Sequence, residues 1–289
     1  MIRNFVLIPF LGYFDSSVYL SQMNFFLLVM STVFVAAGGY VINDVFDAEI
    51  DAINKPTKNI IGKSLSAKSG KTLSLVLSGV GVGMGFWVAM KTEIPMLGMV
   101  HLLTAGLLWY YSYIYKYMFL LGNVVVALIS ALVVFMIPLF EPALPMLWRN
   151  GQPEMVAAIF KIITAYSVFA FLLSLIREII KDTEDIEGDE AQNCRTLPVV
   201  WGVLGAKISL ITLTTVTITL LGYVQYLQYE TGSVEVFGYI LVLIQFPLIH
   251  LLLSLFRASE KKDFSYASAL VKGIMLTGLF STFALYYWG

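Results

Sequence analysis

Along nearly its whole length the chain repeats apolar runs of membrane-crossing length, separated by short polar loops. A hydrocarbon core of about 30 Å is crossed by about 20 mostly apolar residues, and a helix satisfies its own backbone polar groups there. The runs predict spans over 17–42, 71–90, 94–115, 119–140, 156–180, 204–227, 234–256 and 267–288. Composition agrees, since 58% of the 289 residues are hydrophobic and 13% charged, against about 25% charged in a soluble domain. The expected fold is all-α: a polytopic membrane helical bundle of eight complete spans, forming one integral-membrane domain over 1–289. A shorter apolar leader, Phe5 to Phe14, comes first. Pro9 interrupts it and no small-residue cleavage site follows, so it reads as a partial first helix, truncated or re-entrant, and not as a cleaved signal.

A net charge of −1 offers nothing for nucleic acid to bind, and the single cysteine, Cys194, excludes an intrachain disulfide. Alternating the spans puts Lys91, Arg149 and Lys161 on one side of the membrane. Fourteen of the 18 Lys and Arg fall on the other, with Arg3 unassigned. The positive-inside rule makes that richer side cytoplasmic. The expectation is a multi-pass cell-membrane protein whose two acidic loops face the cytoplasm.

Those loops are "VINDVFDAEIDAINKP" at 41–56 and "REIIKDTEDIEGD" at 177–189. Asp44, Asp47 and Asp51 stand at i, i+3 and i+7, and Asp182, Asp185 and Asp189 repeat that spacing 138 residues later. Together with the repeated helix pattern, this points to an internal duplication of a four-helix unit. On a continuous helix such positions share one face, where three like charges repel. Mg²⁺, a hard cation held by a few carboxylates, waters and substrate phosphates, would offset that repulsion. One acidic cluster is often only a solvated helix end. Two with the same spacing, each at a span end on the same side, favour a functional pair. Lys55, Lys58 and Lys63 follow the first cluster, Arg177 and Lys181 lie within the second segment, and Lys116 falls beside Tyr111, Tyr113 and Tyr115. Cations among carboxylates suit an anion bridged by metal; Lys63, Lys68 and Lys71 read more simply as topology determinants. Gly79, Gly81, Gly83 and Gly85 suggest close helix packing, and His101 and His250, each alone among apolar residues, read as structural.

These residues resemble the UbiA superfamily of intramembrane prenyltransferases. Asn43-Asp44-x-x-Asp47-x-x-x-Asp51 resembles that family's first Asp motif and Asp182-x-x-Asp185-x-x-x-Asp189 its second. "YYSYIYKYMFLLGN" at 110–123 is similar to its Tyr…Lys…Gly-Asn segment, and Thr196-Leu197-Pro198 with Gly202 to the segment after the second motif. "EIDAINKP" and "REIIKDTEDIEGD" are most similar to the members that add the second prenyl ether of archaeal-type lipids. Two features depart from the family pattern: the partial leader stands in place of the first of nine spans, and the usual Arg-Pro after the first motif reads Lys58-Asn59. A lysine there keeps the charge without bidentate phosphate geometry.

The resemblance implies an enzyme with an isoprenyl diphosphate donor and a lipid-like acceptor. It would transfer a geranylgeranyl group from geranylgeranyl diphosphate to the hydroxyl of geranylgeranylglyceryl phosphate. It implies Mg²⁺ held by Asp44, Asp47, Asp51, Asp182, Asp185 and Asp189, and catalytic roles for Asp51, Lys116, Arg177 and Lys181. Asn43, Lys58, Tyr115 and Asn123 would bind substrate. The deprotonating base stays open among Asp51, Glu49 and a tyrosine near 111–115. Alternatives are an aromatic acceptor of the quinone or chlorophyll type, a cation-coupled transporter and a lipid-binding scaffold. A transporter would carry acids within its spans, whereas most of the acids here stand at span ends on one side.

Overall fold

A computed structural model of the chain describes residues 1–13, 19–54, 60–231 and 233–288. Its elements, in order, are a π-helical turn at Arg3–Leu7 running into α1 (Ile8–Tyr13), then α2 (Gln22–Phe46), α3 (Ala48–Asn54), α4 (Ala67–Lys91), α5 (Gly98–Tyr113), α6 (Leu121–Leu139), α7 (Ala143–Arg149), α8 (Pro153–Glu184), α9 (Ile186–Ala191), α10 (Leu197–Thr231), α11 (Val234–Ile240), α12 (Phe246–Arg257) and α13 (Lys261–Trp288). Serine side chains open several of these helices: Ser21 Oγ accepts from Asn24 N at 3.2 Å and Ser66 Oγ from Ser69 N at 3.1 Å, each satisfying a donor the helix leaves orphaned. Pro153 begins α8, where its missing N–H costs nothing.

Among the described residues, seven helical segments are long and apolar enough to cross a membrane: Gln22–Phe46, Ala67–Lys91, Leu121–Leu139, Pro153–Glu184, Leu197–Tyr229, Val234–Arg257 and Lys261–Trp288. The all-α, polytopic architecture is therefore present. The remaining expected span, 94–115, is the 16-residue α5, flanked by 3₁₀ turns at Pro95–Leu97 and Tyr115–Tyr117. At 1.5 Å per residue α5 is about 24 Å long, shorter than the seven.

The helices pack as two groups, α2 with α4 and α5, and α8 with α10 and α13, joined by the packing of α6 on α8. Small residues bring α2 against α4: Ser31 Oγ donates to Gly81 O at 2.7 Å and Ser74 Oγ to Gly38 O at 2.8 Å. A Cβ at Gly81 would meet Ser31 O at 2.8 Å and one at Gly85 the His101 ring at 2.4 Å, whereas Gly79 and Gly83 face open space. The glycine run thus contributes two packing residues, and His101 fills the gap beside one of them. In the second group a π-helical turn, Leu241–Gln245, precedes Pro247. Proline has no N–H to offer the carbonyl four residues back, and Thr277 Oγ1 of α13 donates to Leu243 O at 2.8 Å instead.

The leader docks at the bundle end opposite the two acidic loops. Leu7 and Leu11 are buried among α7 and α8 residues, and Phe5 packs edge-on against Phe283 of α13 at 5.2 Å. Arg3 is buried there, donating to Leu20 O at 2.7 Å with its guanidinium over the Phe25 ring. Arg3, which alternation of spans left unassigned, therefore belongs to the end that carries Lys91 and Arg149. Glu141, also buried, accepts from Tyr19 N at 2.7 Å and Ala143 N at 3.2 Å.

Candidate active site

The two acidic segments fold alike. α2 ends at Asp47, whose φ of −87° and ψ of 0° leave the helix, and the short α3 starts at the next residue. α8 ends in the same way at Asp185, with φ −101° and ψ 11°, and α9 follows at once. The break falls on the middle Asp of each motif, so the expected single helical row does not form. Asp44 rides on the long helix, Asp47 caps it and Asp51 projects from α3; Asp182, Asp185 and Asp189 repeat that arrangement. The break relieves the repulsion of three stacked carboxylates. α3 and α9 then pack against each other, which brings the two motifs together.

They meet around a cavity of about 280 Å³. Asn43, Asp44, Asp47, Asp51, Lys116, Asn123, Lys181, Asp182, Asp185 and Asp189 all line it. All but the first of the following polar contacts cross between elements. Asn43 Nδ2 donates to Asp47 Oδ2 at 2.5 Å, and Lys116 Nζ pairs with Asp47 Oδ1. Asn123 Nδ2 donates to Asp182 Oδ2 at 2.7 Å, and Thr196 Oγ1 to Asp189 Oδ2 at 3.2 Å. Gly122 makes the Lys116 contact possible: a Cβ there would lie 2.9 Å from Tyr115 O and 3.0 Å from Lys116 Cα. Without a side chain, the first turn of α6 slides under the 3₁₀ turn that carries the lysine.

Not every expected residue reaches the cavity. Arg177 is absent from its wall and donates to Glu178 Oε1 at 2.6 Å. Tyr115 is outside it too, with its ring stacked on Tyr110 at 6.2 Å. Glu49 is exposed and does not line it. Lys58, with Lys55 and Asn59, lies outside the described residues. Of the tyrosines at 111–115 that are candidate bases, Tyr111 does line it, and so do Glu178, Gly122, Cys194 and Thr196. Glu178 stands one turn before Asp182, a spacing readable in the sequence, whereas Cys194 and Thr196 come from a loop whose course no periodicity indicates.

Seven acidic side chains, the six Asp and Glu178, share this wall with two lysines, Lys116 and Lys181. Burial first, and then the Asp185 and Asp47 carboxylates, push Asp189 up to about 6 against the opposing pull of its Thr196 hydrogen bond and Lys181. Burial also pushes the Cys194 thiol and the Tyr117 phenol up to about 12, leaving both neutral. Asn43 Oδ1 is buried and meets no hydrogen-bond donor among the described residues. Excess carboxylate and an open amide oxygen fit a cation. Among the described residues no three acidic, His or Cys side chains converge tightly enough to enclose a metal. A Mg²⁺ held by one or two carboxylates and completed by water and phosphate oxygens needs no such cage.

Comparison with known proteins places this geometry. A digeranylgeranylglyceryl phosphate synthase of Methanopyrus kandleri is 35% identical over 169 residues, covering 58% of this chain and 54% of that protein. One of Saccharolobus solfataricus is 33% identical over 189 residues, 65% of this chain and 61% of that protein. The matches thus span little more than half the length of these relatives. The structure of a UbiA homolog from Archaeoglobus fulgidus bound to GPP and Mg²⁺ superposes with a TM-score of 0.59 at 16% identity, covering 96% of this chain and 95% of that one; at that identity the likeness is one of fold. The model of the UbiA prenyltransferase family matches residues 6–280, and the chain belongs to that family.

Proposed function

We propose that this protein transfers a geranylgeranyl group from geranylgeranyl diphosphate to the hydroxyl of geranylgeranylglyceryl phosphate, forming a second prenyl ether. The observation that carries the reading is the convergence of both Asp motifs on one cavity with Lys116 and Lys181 on its wall. The names of the relatives supply the substrate pair, and the neighbour bound to GPP and Mg²⁺ supplies the cofactor. Mg²⁺ would be held by Asp44, Asp47 and Asp51 facing Asp182, Asp185 and Asp189, with Asn43 Oδ1 as a further oxygen. When bound, it neutralises charge on diphosphate oxygens as a Lewis acid.

The chain's own residues do the rest. Lys116 and Lys181 set positive charge where the leaving diphosphate gains electrons as the allylic C–O bond breaks. Asn43 and Asn123 hold Asp47 and Asp182 in place, and Arg177 holds Glu178 in the same way. Tyr115, outside the cavity wall, is kept as a contact to the substrate, as is Lys58, which lies outside the described residues. The apolar spans exclude water, so the allylic carbon is captured by the acceptor oxygen, whose lone pair forms the new C–O bond. Its proton passes to a carboxylate on the wall; Asp51 and Glu178 are the candidates the geometry favours over exposed Glu49. The protonated ether is a strong acid, so an ordinary ionised carboxylate suffices. The distribution of Lys and Arg supports a cytoplasmic face for this site.

The test is prenyl transfer by purified protein in lipid, with labelled geranylgeranyl diphosphate and a panel of acceptors, with and without Mg²⁺. Mg²⁺-dependent ether formation on geranylgeranylglyceryl phosphate supports the proposal. Transfer only to an aromatic acceptor contradicts the acceptor, and no transfer to any acceptor contradicts the activity.

A further inference from the structure

From Leu172 to Ile180, α8 is enclosed by its neighbours: every residue in that stretch is buried except Arg177. The Arg177 side chain keeps 29% of its surface accessible, and it stands off the wall of the acidic cavity. Its Nη1 donates to Glu178 Oε1 at 2.6 Å, the one hydrogen bond of this guanidinium among the described residues. A charge enclosed within a membrane span is costly and pairs with an opposite one. A single bond to the adjacent carboxylate leaves most of the planar fork of N–H donors without an acceptor among the described residues.

The helix sets the direction in which that fork stands. At about 100° per residue, Arg177 lies about 140° around α8 from Asp182 and about 40° from Lys181, one turn further on. The Asp182 carboxylate, and a diphosphate bridged to it by metal, therefore face another way. Lys181 lines the acidic wall and stands at i+4 from Arg177, where like charges repel; an anion beside the two offsets that repulsion. Glu178 belongs to both sides, since it lines the acidic wall and its carboxylate is held by Arg177.

We propose that Arg177 binds the phosphate of the acceptor lipid and so sets the acceptor hydroxyl against Glu178. The assignment rests on the reading of the protein as a prenyltransferase whose acceptor is a prenylglyceryl phosphate. The ligand chemistry is a phosphomonoester, whose oxygens match the parallel N–H donors of a guanidinium. The donor's diphosphate has its place on the acidic wall, from which Arg177 is absent. Phosphate and reacting hydroxyl sit on the same glycerol, so a phosphate on Arg177 leaves the hydroxyl oxygen within a few ångströms of the carboxylate that the guanidinium holds. As a lone pair of that oxygen forms the new C–O bond, its proton passes to Glu178, and the electron pair of the broken allylic C–O bond leaves with the diphosphate.

The test crosses the residue with the substrate group. Wild type, Arg177→Met and Arg177→Lys are assayed with prenylglyceryl phosphate and with the same prenylglycerol lacking its phosphate. Expected is a wild-type preference for the phosphorylated acceptor in kcat/KM that falls by about tenfold or more in Arg177→Met, through acceptor KM and not donor KM. Arg177→Lys keeps the charge without the fork and should fall between the two; it also keeps the measurement open if Arg177→Met loses its fold. A role confined to supporting Glu178 would slow both acceptors alike and leave the preference intact, and that result overturns the proposal, as does a rise in donor KM alone. Equilibrium binding of the phosphorylated acceptor to purified protein without donor gives a second readout, competed with inorganic phosphate and with diacyl phosphatidic acid. Wild type should bind about tenfold tighter than Arg177→Met, and both competitors should be weak. Equal competition by phosphatidic acid assigns the fork to headgroups in general and overturns the assignment to the acceptor. If wild type transfers to no acceptor while Arg177-dependent binding persists, the enzymatic reading fails and the phosphate site stands; if transfer proceeds and binding does not depend on Arg177, the reading stands and the site fails.

Discussion

Lys116 shows how one side chain ties the chemistry to the fold. It comes from the 3₁₀ turn between α5 and α6, yet its ammonium meets Asp47 at the end of α2, an approach that Gly122 permits. Lys116→Met should therefore lower kcat by about a hundredfold, the scale of losing one preorganised charge at a developing anion, and steady-state kinetics with saturating Mg²⁺ would show it. Asp189 sets a pH dependence. Its carboxyl is raised to about 6 from an ordinary value of 3.8, so the metal-free fold favours the protonated form and loses that preference as pH rises through 6. A cation needs the ionised form, so Mg²⁺ half-saturation should worsen by up to about tenfold per pH unit below 6. A flat Mg²⁺ titration between pH 7 and 5 would contradict this. The Asp pairs, Asn43, Lys116, Asn123 and Lys181 were legible because motif and spacing name them. Glu178 is readable in the sequence as an acid one turn before Asp182. Thr196 and Cys194 were not legible as cavity residues, because their position depends on a loop returning from α9.

Among the elements, the spans were readable from hydropathy because lipid forces apolar runs into helices. The breaks at Asp47 and Asp185 were not, since i, i+3, i+7 spacing is what an unbroken helix also shows. Only the competition between like charges and the backbone, resolved in three dimensions, turns each motif into a long helix plus a short one. The glycine run makes the same point. All four residues look alike in sequence, but Gly81 touches Ser31 and Val35 whereas Gly79 meets nothing. Gly81→Ala should lower thermal stability in detergent, and Gly79→Ala should leave it unchanged or raise it by up to about 1 kcal/mol through helix propensity. The π-helical turn before Pro247 gives a further test. Thr277→Val removes the donor to Leu243 O and should cost about 0.5–1.5 kcal/mol, the net worth of one hydrogen bond. Adding Pro247→Ala restores a backbone N–H and should recover part of the loss; a double-mutant cycle of melting temperatures reads the coupling.

At the scale of the whole molecule, two helical groups each end one long helix on an aspartate and return a third carboxylate from a short helix, and the α6–α8 contact joins them. The matching Asp spacing 138 residues apart suggested a duplicated unit; the matching breaks at Asp47 and Asp185 give that repeat a shared local structure. What spacing alone did not contain is that the two units face one another across a single cavity. The most direct measurement is calorimetric binding of a non-cleavable geranylgeranyl thiodiphosphate in the presence of Mg²⁺ to wild type, Asp44→Asn, Asp182→Asn and the double variant. If one diphosphate is held by both motifs, each single variant weakens binding severely and the double is little worse than either, a strong coupling between residues from opposite halves of the chain. Binding that survives loss of either aspartate, or losses that simply add, would contradict a shared site.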